Sequence, residues 1–242
     1  MSLLSPGRLT LGCVDLDAEP LFHRIEADGR RRGYEPDAAA LVAAHHGLTV
    51  NWRVLAWDDF YPALQERRID AVWCGQGITD ARRALADFSL PYAIFDESVV
   101  VRADNAASSP ADLAGTRIGA IAGSTNMRLA ETFDGIERVS FPGTADVFGD
   151  MIRATRDGTI DGFVDDDVVM VPLDEDPDLR LAFTLPTRNR WGVAVRRGDD
   201  EMRALIDSGL GAAIADGALA AAWARSMPWL PFPLTSGPGV LP

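Results

Sequence analysis

The chain has 242 residues, enough for one large domain or for two of about 120 residues that each bury a core. All 23 of its basic residues are arginine, which excludes Schiff-base chemistry on lysine and phosphate binding by a P-loop lysine. Its net charge of −13 at pH 7 argues against a nucleic-acid partner, because such a partner requires a basic surface.

The first part of the chain alternates short apolar runs with helical patterns. Strands are predicted over residues 9–14, 48–55 and 69–74, and helices over residues 34–46 and 57–68. The turn Gly75-Gln76-Gly77 follows the third strand. This alternation is typical of an α/β sheet whose strands are mainly parallel and are flanked by helices.

A second series of the same kind follows an extended segment at residues 98–102. Its helices are predicted to start at Pro110 behind a Ser109 cap, at the Ser124-Thr125 pair, and after a Thr144 cap. The remaining predicted elements are strands over residues 117–121, 137–141 and 160–164, an extended segment over 191–196, and helices over 199–215 and 218–225. The proline-rich tail from Met227 is predicted to be non-helical.

Two βα series joined by two extended segments predict two lobes linked by a pair of crossing strands. Residues 1–94 and 193–242 would form lobe 1, and residues 95–192 would form lobe 2. A cleft between the lobes, at the carboxyl ends of their strands, is the expected place for a ligand.

The cysteines and histidines give no sign of a cofactor. Cys13 and Cys74 are interpreted as small buried thiols, with a disulfide or a reactive pair as the alternative. The three histidines lack metal-site spacing, so no metal is expected. The first eight residues show no signal peptide, so either it was removed or the protein is cytoplasmic.

Four segments at predicted strand ends carry the candidate ligand-binding residues. Gly75 and Gly77 expose backbone groups, and Arg82 beside them offers a planar fork for a carboxylate, although a helical arginine is more often a solvated surface residue. Ser124 and Thr125 start a helix, where N–H groups favour an anion.

The other two segments supply acidic and aromatic groups. The run Asp165-Asp166-Asp167 follows a buried strand and suits an ammonium group, with solvation or helix capping as the alternative. Asp15 and Trp57 would form an acidic and aromatic wall for a ligand side chain, with core packing as the alternative for the tryptophan. A fork for a carboxylate together with an acid for an ammonium is the complement of an α-amino acid.

The order of these segments resembles the type 2 extracellular solute-binding proteins, the amino-acid receptors of ABC importers, over residues 8–226. The stretches that carry the resemblance are WDDFYPALQ at 57–65, RIDAV at 68–72, GIT at 77–79, DFSLPY at 87–92, DLAG at 112–115, GST at 123–125, DGTIDG at 157–162, WGVAV at 191–195 and ADGAL at 215–219.

The resemblance implies a periplasmic-binding-protein-like fold of type II and a role for each candidate residue. Arg82 would hold the ligand carboxylate with the N–H groups of Gly77 and Thr125, and Asp166 would take the ammonium with the carbonyl of Gly75. Family members usually carry serine or threonine at position 77, so Gly77 lacks a hydroxyl partner for the ammonium.

The resulting hypothesis is a monomeric, non-enzymatic receptor that closes on a small zwitterion and is recognised by an ABC permease. The acidic side chains of Asp15 and Asp17 suggest a cationic amino acid. The resemblance implies an extracytoplasmic location. The alternatives are a cytoplasmic or sensory ligand-binding domain, and a dehydratase-like enzyme in which Asp15 or Asp166 acts as an acid with a raised pKa.

Overall fold

The computed structural model describes residues 3–144 and 146–234, and the chain divides into two compact units. The first unit contains the described residues up to Ile94 and those from Asn189 onward, and the second unit contains Phe95–Arg188. The last eight residues of the predicted non-helical tail lie outside the described residues.

The helices and strands follow one another in an α/β order. The strands are β1 (Arg8–Cys13), β2 (Thr49–Val54), β3 (Ala71–Val72), β4 (Asp87–Arg102), β5 (Arg117–Ile121), β6 (Glu137–Phe141), β7 (Gly162–Asp166) and β8 (Leu179–Val195). The α-helices are α1 (Tyr34–His45), α2 (Phe60–Gln65), α3 (Asp80–Arg83), α4 (Thr125–Ala130), α5 (Val147–Arg156), α6 (Asp167–Met170), α7 (Asp200–Ala215) and α8 (Ala218–Ser226). Short 3-10 helices span Trp57–Asp59, Pro110–Leu113 and Val171–Glu175.

In the first unit the strand order is β2-β1-β3-β8. β1 is parallel to β2 and to β3, and β8 is antiparallel to β3. Helix α1 packs against α7 and α8, and the core contains the fully buried aromatic side chains of Tyr34, Trp73, Tyr92 and Trp191. The parallel strands bring the ends of β1 and β3, and hence the turn after β3, to the same edge of the sheet.

In the second unit the strand order is β4-β7-β5-β6. β5 is parallel to β6 and to β7, and β4 is antiparallel to β7. The core of this unit includes Val99, Leu113, Ile118, Phe133 and Val164. The expected α/β fold, with helices flanking mainly parallel strands, is confirmed.

Several predicted elements are corrected. β7 begins two residues later than expected, which places Asp165 and Asp166 within the strand. Thr144 does not cap α5, because Asp146 precedes the first residue of that helix. The Ser109 side chain accepts no bond from a backbone N–H of the following 3-10 helix; its hydroxyl donates to Asp112 Oδ2 at 2.8 Å.

The extended segments at residues 98–102 and 191–196 belong to the long strands β4 and β8, each of which starts in one unit and ends in the other. Cys13 and Cys74 are free, buried thiols. Among the described residues no single helix is long and apolar enough to cross a membrane; α7 and α8 pass that test only as a pair, bent by 78°.

Candidate functional site

The turn after β3 is the centre of the candidate site in the first unit. Gly75 has a φ of +55°, a left-handed conformation that glycine adopts without steric cost, and its N–H donates to Glu35 Oε1 at 2.7 Å. The Gln76 side chain bridges the turn: its Nε2 donates to the Cys74 carbonyl at 3.0 Å, and its Oε1 accepts from the Tyr61 hydroxyl at 2.8 Å. The turn is therefore fixed by hydrogen bonds within its own unit.

Two backbone groups of this turn, one acceptor and one donor, are open: they form no hydrogen bond within the described part of the chain. The carbonyl of Gly75 and the N–H of Gly77 have no hydrogen-bond partner among residues 3–144 and 146–234. Gly77 is buried, and a buried backbone N–H is bonded in the great majority of native structures. An acceptor and a donor left open at a strand end are available to a ligand.

Arg82 lies beside this turn, as predicted. The N–H of Arg82 donates to the hydroxyl of Thr79, which caps the short helix α3, at 3.3 Å. Its Nη1 donates to the carbonyl of Gly77 at 3.0 Å, and its guanidinium carbon lies 6.0 Å from the centre of the Trp57 ring. The guanidinium is thus held next to the open N–H, and the two can face one carboxylate.

Trp57 and Asp15, the predicted wall for a ligand side chain, lie in different surroundings. Trp57 is 42% exposed, packs on Phe60 at 5.3 Å between ring centres and lies near Arg82, so it is not simple core filling. Asp15 is exposed in the loop between β1 and α1, where its Oδ1 accepts from the N–H of Ile25 at 3.0 Å. This carboxylate is engaged by its own loop.

The start of α4 is the first part of the candidate site in the second unit. Ser124 caps the helix: its Oγ accepts from the N–H of Met127 at 3.0 Å and donates to the carbonyl of Ile121 at 2.7 Å. Its hydroxyl is thereby used within the structure. The N–H groups of Thr125 and Asn126 have no partner in the described part of the chain.

Asn126 links α4 to the acidic end of β7, a connection absent from the sequence interpretation. Its Nδ2 donates to Asp165 Oδ1 at 2.9 Å, and the same oxygen accepts from the N–H of Asp166 at 2.8 Å. Asp165 is therefore a structural carboxylate, whereas Asp166 Oδ1 is buried and has no hydrogen-bond partner among the described residues. The register of β4 and β7 sets Glu97 opposite Asp166.

This acidic group has strongly perturbed pKa values. Burial, together with the charge of Glu97, raises the pKa of Asp165 to about 7. Burial also raises the pKa of Asp167 to about 6. The pKa of Asp166 lies well above its usual range because of burial and then the charges of Asp165, Glu97 and Asp167. Nearby negative charges disfavour the ionised form, so a cation placed here is strongly attracted.

Sequence reasoning missed Glu35. An acidic residue in the first turn of a helix is ordinarily read as a partner of the helix dipole, which conceals a buried role. No group of three or more His, Cys, Asp or Glu side chains suited to a metal occurs within the described ranges.

Comparison with known proteins gives consistent results. The family model of the bacterial extracellular solute-binding proteins, family 3, matches residues 12–226. The L-cystine-binding protein TcyJ of Escherichia coli K12 is 27% identical over 208 residues, covering 84% of this chain and 76% of the relative. An L-arginine-binding protein of Pseudomonas aeruginosa PAO1 is 29% identical over 213 residues, covering 83% and 81%. The solved structure of an ancestral arginine-binding protein bound to arginine has a TM-score of 0.79 and 26% identity, covering 91% of this chain and 98% of that one.

Proposed function

Because the chain belongs to the bacterial extracellular solute-binding proteins, family 3, we propose that it is the substrate-binding component of an ABC importer and that it binds an amino acid. The names of the relatives, which bind L-cystine and L-arginine, support this substrate class. The chain's own residues supply the chemical argument.

The observation that carries the proposal is the complementary chemistry of the two units. In the first unit, Arg82 and the open N–H of Gly77 suit a carboxylate, and the open carbonyl of Gly75 suits an ammonium donor. In the second unit, the buried Oδ1 of Asp166 has no partner among the described residues and suits an ammonium, while the N–H of Thr125 suits a carboxylate. An α-amino acid carries an ammonium and a carboxylate on adjacent carbon atoms, and each unit offers groups that suit both.

The substrate within this class is proposed to be cationic. Asp17 no longer supports this, because its carboxylate pairs with Arg24 Nε at 3.2 Å, and Asp15 is bonded to its own loop. The support comes instead from the arginine-binding relatives. Gly77 in place of a hydroxyl side chain leaves the ammonium to the Gly75 carbonyl and Asp166.

The partner and the location follow from the family. A permease of an ABC importer is the proposed partner, and an extracytoplasmic site of action is proposed because the family is one of extracellular receptors. A ligand shifts a receptor of this kind toward its binding-competent state by contacting that state better than any other.

A thermal-shift screen against amino acids and small organic acids tests the proposal. The protein is first unfolded and refolded so that ligand retained from expression is removed. A ligand at about 100 times its Kd adds about 2.7 kcal/mol of stability. A clear shift with amino acids, larger than the shift with acids that lack the ammonium, supports the proposal. An absence of any shift with amino acids contradicts it.

The raised pKa of Asp166 favours a second candidate, an enzyme that uses this side chain as a general acid. Incubation of the protein with the bound amino acid for hours, followed by mass spectrometry, separates the candidates. A receptor returns the ligand unchanged, whereas turnover establishes the enzyme.

A further inference from the structure

Glu35 is a fully buried carboxylate that the assigned ligand contacts do not include. It lies in the first turn of α1 and has 0% exposure. Its Oε1 accepts two hydrogen bonds, one from the hydroxyl of Tyr92 and one from the N–H of Gly75 at 2.7 Å. A buried carboxylate costs free energy unless it is hydrogen-bonded. The two contacts satisfy Oε1, whereas Oε2 is buried and has no hydrogen-bond partner among the described residues.

The contact with Gly75 ends a directed chain of hydrogen bonds. The Tyr61 hydroxyl donates to Gln76 Oε1, and Gln76 Nε2 donates to the carbonyl of Cys74. The same peptide unit then donates through the N–H of Gly75 to Glu35. Every donor in this chain points toward the carboxylate, and hydrogen bonds in series that end on a charge strengthen one another.

The two ends of the turn are held by different parts of the unit. At the Gly77 end, the N–H of Gly192 in β8 donates to the carbonyl of Gln76 at 3.0 Å, and the N–H of Ile78 donates to the carbonyl of Arg190 at 2.8 Å. At the Gly75 end, the backbone bond is the one to Glu35. The Cys74–Gly75 peptide is therefore held by Glu35 at its N–H and by Gln76 at its carbonyl, and the Gly75 carbonyl follows in the next peptide unit.

The charged and titratable groups around Glu35 include one cation, two tyrosines and the buried thiols of Cys13 and Cys74. Arg31 is 7% exposed, donates to the carbonyls of His23 and Val14, and partly offsets the negative charge. Tyr92 contacts the carboxylate directly, and the neighbouring Tyr34 donates to the carbonyl of Tyr92 at 2.5 Å. Burial raises the pKa of Glu35, and its hydrogen bonds oppose that rise.

We infer that Glu35 is a positioning residue for amino-acid binding: its bond to the Gly75 N–H anchors the Cys74–Gly75 peptide and the Cα of Gly75, and through that Cα it helps to place the Gly75 carbonyl, in the next peptide unit, for the ligand ammonium. This rests on the proposed function. The carboxyl end of the ligand depends on Arg82 and Gly77, which Glu35 does not contact, so the effect of Glu35 is specific to the ammonium.

The test compares L-arginine with 5-guanidinopentanoate, which has the same carboxylate and guanidinium but no α-ammonium. Glu35→Gln keeps an acceptor oxygen and removes the charge. The Kd for L-arginine should rise about fivefold or more, because charged acceptors make stronger hydrogen bonds, while the Kd for 5-guanidinopentanoate should change less than twofold. Tyr34→Phe is the matched control: it removes a buried hydrogen bond from the same cluster without touching the turn, and it should lower Tm while leaving both Kd values unchanged.

A second variant keeps the inference testable if Glu35→Gln does not fold. Tyr61→Phe removes the first donor of the chain and leaves Glu35 intact, and it should weaken L-arginine about twofold with the same selectivity. Unchanged L-arginine binding in Glu35→Gln, or equal losses for both probes in the variants that fold, would overturn the inference and leave the proposed function standing. Wild-type protein that binds no amino acid in the screen would overturn both.

Discussion

The candidate binding groups of the two units have opposite charges, and they differ in whether their hydrogen bonds are made within the protein. In the first unit, the cation Arg82 is tied to the carbonyl of Gly77 and lies near Trp57, on a turn fixed by Glu35 and Gln76. In the second unit, Asp166 has a buried oxygen without a partner among the described residues and sits among other carboxylates. One unit is organised before a ligand arrives, whereas the other holds a buried carboxylate oxygen that no described residue satisfies.

This difference distinguishes two contributions to ligand affinity: a binding group that is positioned in advance, and a binding group that attracts the ligand by its charge. A preorganised group contributes to affinity because little ordering remains to be done on binding. A crowded carboxylate contributes because the ligand's charge relieves a repulsion that the ligand-free protein must bear. Removing the charged group should therefore affect the ligand-free protein differently in the two units.

The largest effect is expected for Arg82→Ala. This change should weaken amino-acid binding roughly 10- to 100-fold, because hydrogen bonds to a charged group contribute about 1.5–3 kcal/mol each. Titration calorimetry with L-arginine measures the loss, and the ligand-free Tm should not rise. Arg83→Ala is the control, since Arg83 is the exposed next residue of α3. Binding that survives intact in Arg82→Ala would remove the carboxylate site from the first unit.

A smaller loss of affinity, with a gain in stability, is expected for Asp166→Asn. The variant should bind L-arginine about tenfold more weakly and simple carboxylates nearly as well as wild type, because it lacks the charge that attracts the ammonium. Its ligand-free Tm at pH 8 should rise, because the wild-type protein must at that pH either ionise a buried carboxylate beside Asp165 and Glu97 or hold a proton that the unfolded chain releases. Asp167→Asn is the matched control for affinity. Equal losses for amino acids and simple carboxylates would exclude Asp166 as the ammonium partner.

Elements with strong local signals were predictable from the sequence. β5 and β6 occupy the predicted residues, and α1 ends within one residue of the prediction, just before Gly47. Short apolar runs bounded by glycine specify such elements through the local sequence pattern alone. The placement of Arg82 beside Gly75 and Gly77 also follows, because all three lie within one short stretch after β3.

Features that depend on distant residues were not predictable. Glu35 and Gly75 are 40 positions apart in the sequence, and Asn126 and Asp165 are 39 apart, so no local pattern reveals either bond. The first part of β8 was missed because its side chains alternate between partly buried and exposed, which gives no apolar run. Distant hydrogen bonds thus decide which acidic residue is structural and which remains available.

The smallest effect is a pH dependence that should arise in the second unit. The folded-state pKa of Asp165 is raised from 3.8 to about 7. At pH values between these two pKa values the folded protein therefore holds more protons than the unfolded chain, and the free energy of unfolding falls as the pH rises. The free energy of unfolding should drop by about 1 kcal/mol from pH 6 to pH 8 through this group, as urea denaturation would measure. Asp165→Asn keeps the oxygen that binds Asn126 and should remove the part of this slope that Asp165 contributes, while Asp166, whose pKa is also raised, leaves a residual slope; Asp134→Asn, at an exposed position, should leave the slope unchanged. Because a bound ammonium favours the ionised carboxylates, saturating L-arginine should also flatten the slope. An equal slope in all these cases would mean that the acidic group of the second unit is not the source of the pH dependence.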